Sequence, residues 1–303
     1  MDISLALGGG GIKGISHLGV LACLEEAGFK IRAIAGTSAG ALVGAVYAAG
    51  YSPGEILKIV ESIPQKRLYA RLPGDGPSLL GYAGLAEALT AVLGDCTFSD
   101  LKIPFACTAV DINTSQEIYL NEGSVMEAAF ASIAIPGVFP TKIRGKAELV
   151  DGGVLDPVPV NLARRIAPDV PVVAVVLNPA KERWDSIPPQ FNMPAVMPLP
   201  IPSPIIEGFA RMRIGQAFRI FVHSMDITMR MLSELRLEVD KPDFIIRPNV
   251  DRYGMLDFAV PAELVRLGEE SARQSLPELK RMFSWQNVLL RRLNRTGLFK
   301  KNY

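Results

Sequence analysis

The chain has 303 residues, of which 49% are hydrophobic and 21% are charged. This composition is typical of a folded globular protein and excludes a disordered chain, a collagen-like fibre and an acidic tail protein. The formal net charge is +1, so the overall charge gives no reason to expect nucleic-acid binding. Three scattered cysteines without a C-x-x-C pair predict a reduced, cytoplasmic protein and neither a disulfide scaffold nor a zinc site.

The N-terminus lacks a basic segment followed by an apolar run of secretory length, so we expect no leader peptide. The longest uncharged stretch, residues 33–54, contains five glycines and a proline, which argues against a membrane-spanning helix. The mean hydropathy of +0.24 is nevertheless high. A sheet buried on both faces would explain this value, and so would an apolar cleft or a membrane-facing surface.

The first fifty residues predict two strand–turn–helix units in succession. Such repeats are typical of right-handed βαβ crossovers and a mostly parallel sheet between two layers of helices. The predicted strands are 3–7, 31–35, 104–112, 116–120, 148–150, 172–177 and 244–246. The predicted helices are 15–27, 41–49, 54–63, 84–93, 124–132 and 159–166. We therefore expect an α/β protein with three layers, α/β/α.

The second half of the chain contains a region of unusual composition. Seven prolines lie between residues 187 and 205, and a methionine-rich amphipathic helix is predicted over 206–238, followed by a helix over 261–276 that ends before Pro277. We expect one domain over residues 1–283, in which 187–238 forms an insertion or a lid. Residues 284–303 carry five basic side chains and no acidic one, and they form a basic amphipathic tail. Two interpretations of the tail stay open, contact with an anionic membrane and docking on its own domain.

The pentapeptide Gly36-Thr37-Ser38-Ala39-Gly40 follows the second predicted strand. A G-x-S-x-G sequence between a strand and a helix is typical of a nucleophile elbow, which lifts the serine hydroxyl out of the sheet. A plain glycine-rich turn is the alternative.

The glycine run that follows the first strand places several backbone amides at the start of a helix, where they attract negative charge. The spacing of Gly9, Gly11 and Gly14 fits a dinucleotide fingerprint, but the acidic residue expected about 20 positions later is missing. A Walker loop is excluded because no Ser or Thr follows Lys13. An oxyanion hole is the other use of such a loop.

A serine nucleophile needs a base, and the chain contains only two histidines. His17 lies in the first helix and is expected to pack or to form a hydrogen bond, whereas His223 lies midway along the long amphipathic helix. Asp151 ends the strand at 148–150 and precedes Gly152 and Gly153. This aspartate is a candidate base, and a surface turn is the alternative interpretation.

Four motifs together resemble the patatin-like phospholipase family. They are G-G-G-x-[RK]-G with Lys13 and Gly14, G-x-S-x-G with Gly36 and Gly40, the block at 131–140, and D-G-[GA] with Gly152 and Gly153. The resemblance covers residues 1–180 and implies the patatin-like form of the α/β/α fold. It also implies a nucleophile, Ser38, a general base, Asp151, and an oxyanion hole formed by Gly9, Gly10 and Gly11.

The resemblance implies a serine lipid acyl hydrolase that acts on phospholipids, lysophospholipids or small carboxyl esters. We expect no cofactor and no metal, and a cytoplasmic protein for which peripheral contact with the inner face of an anionic membrane is one of the two open interpretations of the tail. Three other functions remain open. They are an esterase with a Ser38–Asp151–His223 triad, a catalytically silent membrane-binding module, and a nucleotide-binding protein.

Overall fold

A computed structural model of the chain describes residues 1–72, 75–76, 78–186 and 213–283. In these ranges one central sheet contains eight strands. The strands are Asp2–Leu7 (β1), Lys30–Gly36 (β2), Phe105–Asp111 (β3), Gln116–Leu120 (β4), Lys142–Arg144 (β5), Ala147–Asp151 (β6), Val172–Val175 (β7) and Phe244–Ile246 (β8).

Helices connect and cover these strands, and none of those in the described ranges combines the length and apolar character that a membrane span requires. The helices are Ser16–Glu26 (α1), Ala39–Ala48 (α2), Pro53–Ser62 (α3), Gln65–Leu68 (α4), Ala83–Leu93 (α5), Val125–Ser132 (α6), Val160–Ile166 (α7), Arg213–Asp240 (α8) and Pro261–Met282 (α9).

The sheet is mixed, and its strand β3 has three partners. Parallel β2 pairs with residues 105–107 and antiparallel β6 pairs with residues 109–111, while antiparallel β4 pairs with residues 107–111. A strand has two edges, and β4 occupies one of them along this stretch. Strands β2 and β6 therefore share the other edge and run toward each other. Their carboxyl ends, at Gly36 and Asp151, meet beside Thr108.

Both faces of the sheet are buried, which is one of the three explanations offered for the high mean hydropathy. Along β1, Leu5 and Leu7 belong to a large core beneath α1, α2 and α9, whereas Ala6 belongs to a second core beneath α7. Strand β7 alternates in the same way. Successive side chains of a strand point to opposite faces, so this alternation shows helices on both sides of the sheet. The predicted three-layer α/β/α architecture is confirmed.

Three details differ from the expectations. Strand β5 and helix α4 were not predicted, since three or four residues are too short to show a periodicity. Helix α9 does not end before Pro277 but continues to Met282. The proline removes one backbone hydrogen bond. The buried stripe of α9 nevertheless continues to Leu279, and Phe283 packs against Phe29 with ring centroids 5.7 Å apart.

The described part of the predicted 187–238 region is α8, which begins at Arg213 and ends two residues later than predicted. Residues 187–212 and the tail at 284–303 lie outside the described residues.

Helices α1 and α9 cross at two glycines. A Cβ on Gly268 would lie 1.9 Å from the Ser16 carbonyl oxygen, and a Cβ on Gly19 would lie 1.9 Å from the Val265 carbonyl oxygen. The backbones therefore touch directly at this crossing. Because α1 follows the glycine loop of the first motif, the crossing fixes the position of that loop.

We predict that Gly268→Ala destabilises the protein, because the added methyl group must force α9 away from α1. The expected loss is about 1–3 kcal/mol of unfolding free energy, and it outweighs the helix propensity of alanine, which favours the substitution by about 1 kcal/mol. Urea denaturation measures the effect. Gly54→Ala is the matched control, since no atom lies within 4 Å of the added Cβ, and it should leave stability unchanged or increased. Equal stability of the two variants would contradict the close crossing.

Candidate active site

Ser38 occupies a sharp turn between β2 and α2. Its backbone has φ 53° and ψ −122°, a conformation that a residue with a side chain rarely adopts and that costs about 1–3 kcal/mol. The Ser38 N–H donates to the Ser132 hydroxyl at 2.9 Å, and the Ser38 carbonyl accepts from the Ala41 N–H at 2.9 Å. These bonds hold the strained turn that the G-x-S-x-G sequence predicts.

Asp151 is the last residue of β6, and its carboxylate lies directly at this turn. The Ser38 hydroxyl donates to Asp151 Oδ2 at 2.6 Å. The other oxygen, Oδ1, accepts from the Gly153 N–H at 2.7 Å. Both side chains are buried, with Ser38 4% exposed and Asp151 3% exposed. The structure therefore brings together the two residues that the sequence identified as nucleophile and base.

Burial changes the acidity of this carboxyl group. Removal from water raises the pKa of Asp151 to about 6, while the hydrogen bonds from Ser38 and Gly153 act in the opposite direction. A carboxylate with a raised pKa is a stronger base than an exposed aspartate. The site therefore improves Asp151 as a proton acceptor for the Ser38 hydroxyl.

The glycine loop between β1 and α1 runs past the serine. A Cβ on Gly9 would lie 3.1 Å from Ser38 Cβ. The Gly9 N–H donates to the Pro157 carbonyl at 2.9 Å, so it is already engaged. The amides of Gly10 and Gly11 have no acceptor in the described part of the chain. Of the three predicted oxyanion donors, these two amides are free to bind negative charge.

His17, in α1, forms a hydrogen bond with the start of this loop. Its Nε2 donates to the Gly8 carbonyl at 2.8 Å. Burial lowers the pKa of His17 to about 4, so the ring is neutral at physiological pH. The expectation that His17 forms a structural hydrogen bond is confirmed.

The other motif glycines allow the two loops to touch. A Cβ on Gly14 would lie 2.4 Å from Ala39 Cβ, and a Cβ on Gly40 would lie 2.1 Å from the Leu7 carbonyl oxygen. The nucleophile turn and the glycine loop therefore pack backbone against backbone. Gly36 and Gly152 have equally close neighbours, Ala41 and Thr108.

Helix α8 covers the pair of catalytic candidates. A Cβ on Gly153 would lie 2.8 Å from Met229 Cε, and a Cβ on Gly9 would lie 3.7 Å from the same atom. Lys13, from the first motif, is also buried beside this helix. Burial lowers the pKa of its amine, and the nearby carboxylate of Asp226 acts in the opposite direction.

An ion pair fixes α8 to the loop that follows Asp151. Arg236 Nη2 lies 2.8 Å from Asp156 Oδ2 and its Nε lies 3.2 Å from Asp240 Oδ2. The Asp156 carbonyl accepts from the Thr37 hydroxyl at 2.8 Å, directly before Ser38 in the chain. Burial raises the pKa of Asp156 to about 7, and the Arg236 guanidinium opposes this rise. One arginine therefore links α8 with the loops that carry both Ser38 and Asp151.

An apolar cavity of about 310 Å³ opens beside the serine. Ser38 and Gly11 form part of its wall, and the remainder consists mainly of aliphatic and aromatic side chains from α2, α3, α5 and residues 255–261. A nucleophile in the wall of such a cavity is placed to react with a ligand that has a long apolar portion.

His223 lies apart from this arrangement. It is exposed on α8, and neither histidine forms a hydrogen bond with Ser38 or Asp151 within the described residues. Sequence reasoning did not assign roles to Ser132, Met229 or Arg236. The motif block at 131–140 contained Ser132, but no local pattern indicates that Met229 and Arg236 of a distant helix reach the same site.

We predict opposite pH dependences for two aspartate-to-asparagine substitutions. The pKa of Asp151 is higher in the folded protein than in the unfolded chain, so ionisation destabilises the fold as the pH rises from about 4 to 6. Relative to the wild type, Asp151→Asn should therefore gain about 3 kcal/mol of unfolding free energy between acidic pH and pH 8.

The control is Asp111→Asn. The hydrogen bond from the Thr114 hydroxyl lowers the pKa of Asp111, so the ionised form stabilises the fold and this variant should become less stable than the wild type as the pH rises. Urea titrations at several pH values give both slopes. If the stability difference from the wild type changed with pH in the same direction for both variants, burial would not raise the pKa of Asp151.

Several known proteins are similar to this chain in sequence. A model for patatin-like phospholipases matches residues 5–164. An uncharacterized NTE family protein of Mycobacterium tuberculosis is 35% identical over 179 residues, which are 58% of this chain and 49% of that protein. Lysophospholipase nte1 of Emericella nidulans is 28% identical over 293 residues, which are 92% of this chain and 18% of that protein.

Among solved structures, VipD from Legionella pneumophila aligns with a TM-score of 0.49 and 16% identity, over 91% of this chain and 67% of VipD. The chain spans about half or less of the length of the two curated relatives above. The family model covers more than half of the chain and includes both Ser38 and Asp151. The chain belongs to the patatin-like phospholipase family.

Proposed function

We propose that this protein is a serine lipid acyl hydrolase in which Ser38 and Asp151 act as a catalytic dyad. The observation that carries the proposal is the buried 2.6 Å hydrogen bond from the Ser38 hydroxyl to Asp151 Oδ2, in the wall of an apolar cavity. The name of the matching family and the lysophospholipase relative support the same class of reaction.

In the first step the Ser38 oxygen attacks the carbonyl carbon of an ester while Asp151 takes the hydroxyl proton. Negative charge develops on the carbonyl oxygen, and the amides of Gly10 and Gly11 donate hydrogen bonds to it. Gly9 contributes by holding the loop through its bond to Pro157. When the tetrahedral intermediate collapses, the leaving alcohol takes the proton from Asp151 and the acyl group stays on Ser38.

In the second step water replaces the alcohol. Asp151 accepts a proton from the water as its oxygen attacks the acyl carbon, and the same two amides bind the second oxyanion. The intermediate releases Ser38, which recovers its proton, and a free carboxylic acid leaves. Each role in this cycle is filled by a side chain or a backbone amide of the described residues.

The substrate class follows from the cavity. Its lining is almost entirely apolar and accepts an acyl chain, so we propose phospholipids, lysophospholipids or related acyl esters as substrates. Binding of the basic segment 284–303 to an anionic membrane remains a prediction, since this segment lies outside the described residues.

The proposal predicts one reactive serine. A fluorophosphonate probe should label Ser38, because this is the only hydroxyl in the described part of the chain that combines a hydrogen-bonded base with free oxyanion donors. Peptide mapping by mass spectrometry identifies the labelled residue, and hydrolysis of a panel of phospholipids, lysophospholipids and p-nitrophenyl esters identifies the activity. Ser38→Ala should abolish both signals. Labelling elsewhere, or hydrolysis by Ser38→Ala, would contradict the assignment.

A dyad and a triad predict different responses to substitution. Asp151→Asn should lower kcat by roughly 10²- to 10⁴-fold, the usual contribution of a general base. His223→Ala should retain kcat, because its side chain is exposed on α8. In the wild type kcat/KM should rise with pH through an apparent pKa near 6, since Asp151 must be ionised to accept a proton. Loss of activity in folded His223→Ala would favour the triad.

A further inference from the structure

We propose that the apolar cavity binds a single acyl chain of about ten carbons, and that Val46 and Ile56 at its closed end set the upper limit of chain length. This inference rests on the proposed function and specifies which acyl esters the Ser38 site prefers. It follows from the way in which α2 carries both the nucleophile and the wall of the cavity.

The cavity runs along α2. Ser38 precedes the first turn of this helix, and Val46 lies two turns further on. Residues 49–52 form a tight connection between α2 and α3, so the end of α2 and the start of α3 lie side by side. Ile56, in the first turn of α3, therefore faces the same end of the cavity as Val46.

The contact of the α2–α3 connection with α5 shows which end is closed. Val46 and Ile56 are each 4% exposed, and so is Leu89 of α5, which joins them in the lining. At the other end Ile63 and Leu68 are half-buried and reach solvent. The Tyr51 hydroxyl, in the connection between α2 and α3, donates to the Val92 carbonyl near the end of α5 at 3.1 Å, so the cavity is closed at this connection.

The distance between the two ends gives the chain length. Val46 is eight residues beyond Ser38, which corresponds to about 12 Å at the 1.5 Å rise of an α-helix. An extended chain of single bonds advances about 1.2 Å per bond, as the three bonds of an extended residue show. An acyl chain of about ten carbons therefore spans the cavity from Ser38 to Val46.

The volume and lining favour one chain. At about 310 Å³ the cavity lies at the small end of ligand sites, which range from ~300 to 1,000 Å³. Glu61 is the one charged residue among the described lining residues, and it is exposed on α3. A lipid with two long acyl chains would place one chain in the cavity. Its second chain would stay outside the cavity, together with the alcohol portion of the ester.

The test uses two series with straight chains of 4 to 16 carbons, p-nitrophenyl esters and alkyl fluorophosphonates. In the wild type kcat/KM and the labelling rate should rise about fourfold per added methylene. Both should stop rising near ten carbons, because longer chains meet Val46 and Ile56. The fluorophosphonates report binding at Ser38 without requiring turnover.

Val46→Phe and Ile56→Phe fill the closed end, so the optimum should move to shorter chains in both series. Val46→Ala and Ile56→Ala enlarge it, so the optimum should move to longer chains, and these variants keep the test decisive if a phenylalanine variant does not fold. Ile143→Phe is the matched control, since Ile143 is 69% exposed on β5 and lies outside the cavity lining. Its profile should match that of the wild type.

Two failures are distinguishable. If the wild type hydrolyses no ester and Ser38 is not labelled, the proposed function is wrong. Alternatively, the wild type is active while kcat/KM keeps rising beyond ten carbons, or the chain length at which kcat/KM stops rising is the same in all four variants. In either case the chain-length inference is wrong and the proposed function stands.

Discussion

The site depends on one hydrogen bond, which joins Ser38 at the end of β2 to Asp151 at the end of β6. It exists because both strands pair with the same edge of β3 and run toward each other. A parallel strand and an antiparallel strand that share an edge must meet end to end. Two residues that are 113 positions apart in the chain thus lie within 2.6 Å. The antiparallel half of the sheet is therefore essential to the site.

This arrangement carries a cost in stability, and neighbouring groups compensate for it. Ser38 has a strained backbone, and Asp151 carries a buried carboxyl group with a raised pKa. The Ser132 hydroxyl and the Gly153 amide hydrogen-bond to these two residues. On the other side, Arg236 fixes α8 to the loop at Asp156. The candidate catalytic pair is held from several elements at once, which is how a protein preserves a reactive geometry.

Much of the fold was predictable from local patterns. Runs with β-branched and aromatic residues identified the strands β4 and β8 at their observed bounds, and helical spacing identified helices such as α5 to within one residue. The same rules predicted that α9 ends before Pro277, whereas the helix continues through this proline to Met282. One lost hydrogen bond is outweighed there by the burial of Leu279, a contact with residues remote in sequence. Propensity alone cannot weigh such contacts.

The sequence by itself identified the candidate site residues, since Ser38, Asp151 and the glycine loop belong to motifs whose spacing is local. The tertiary structure decided how these residues work. It engaged the Gly9 amide with Pro157 and gave the amides of Gly10 and Gly11 no acceptor among the described residues. It also placed Met229 beside Gly9 and Gly153, paired Arg236 with Asp156, and put Val46 and Ile56 in the wall of the cavity. These contacts join segments distant along the chain, and their geometry depends on packing, which no local pattern encodes.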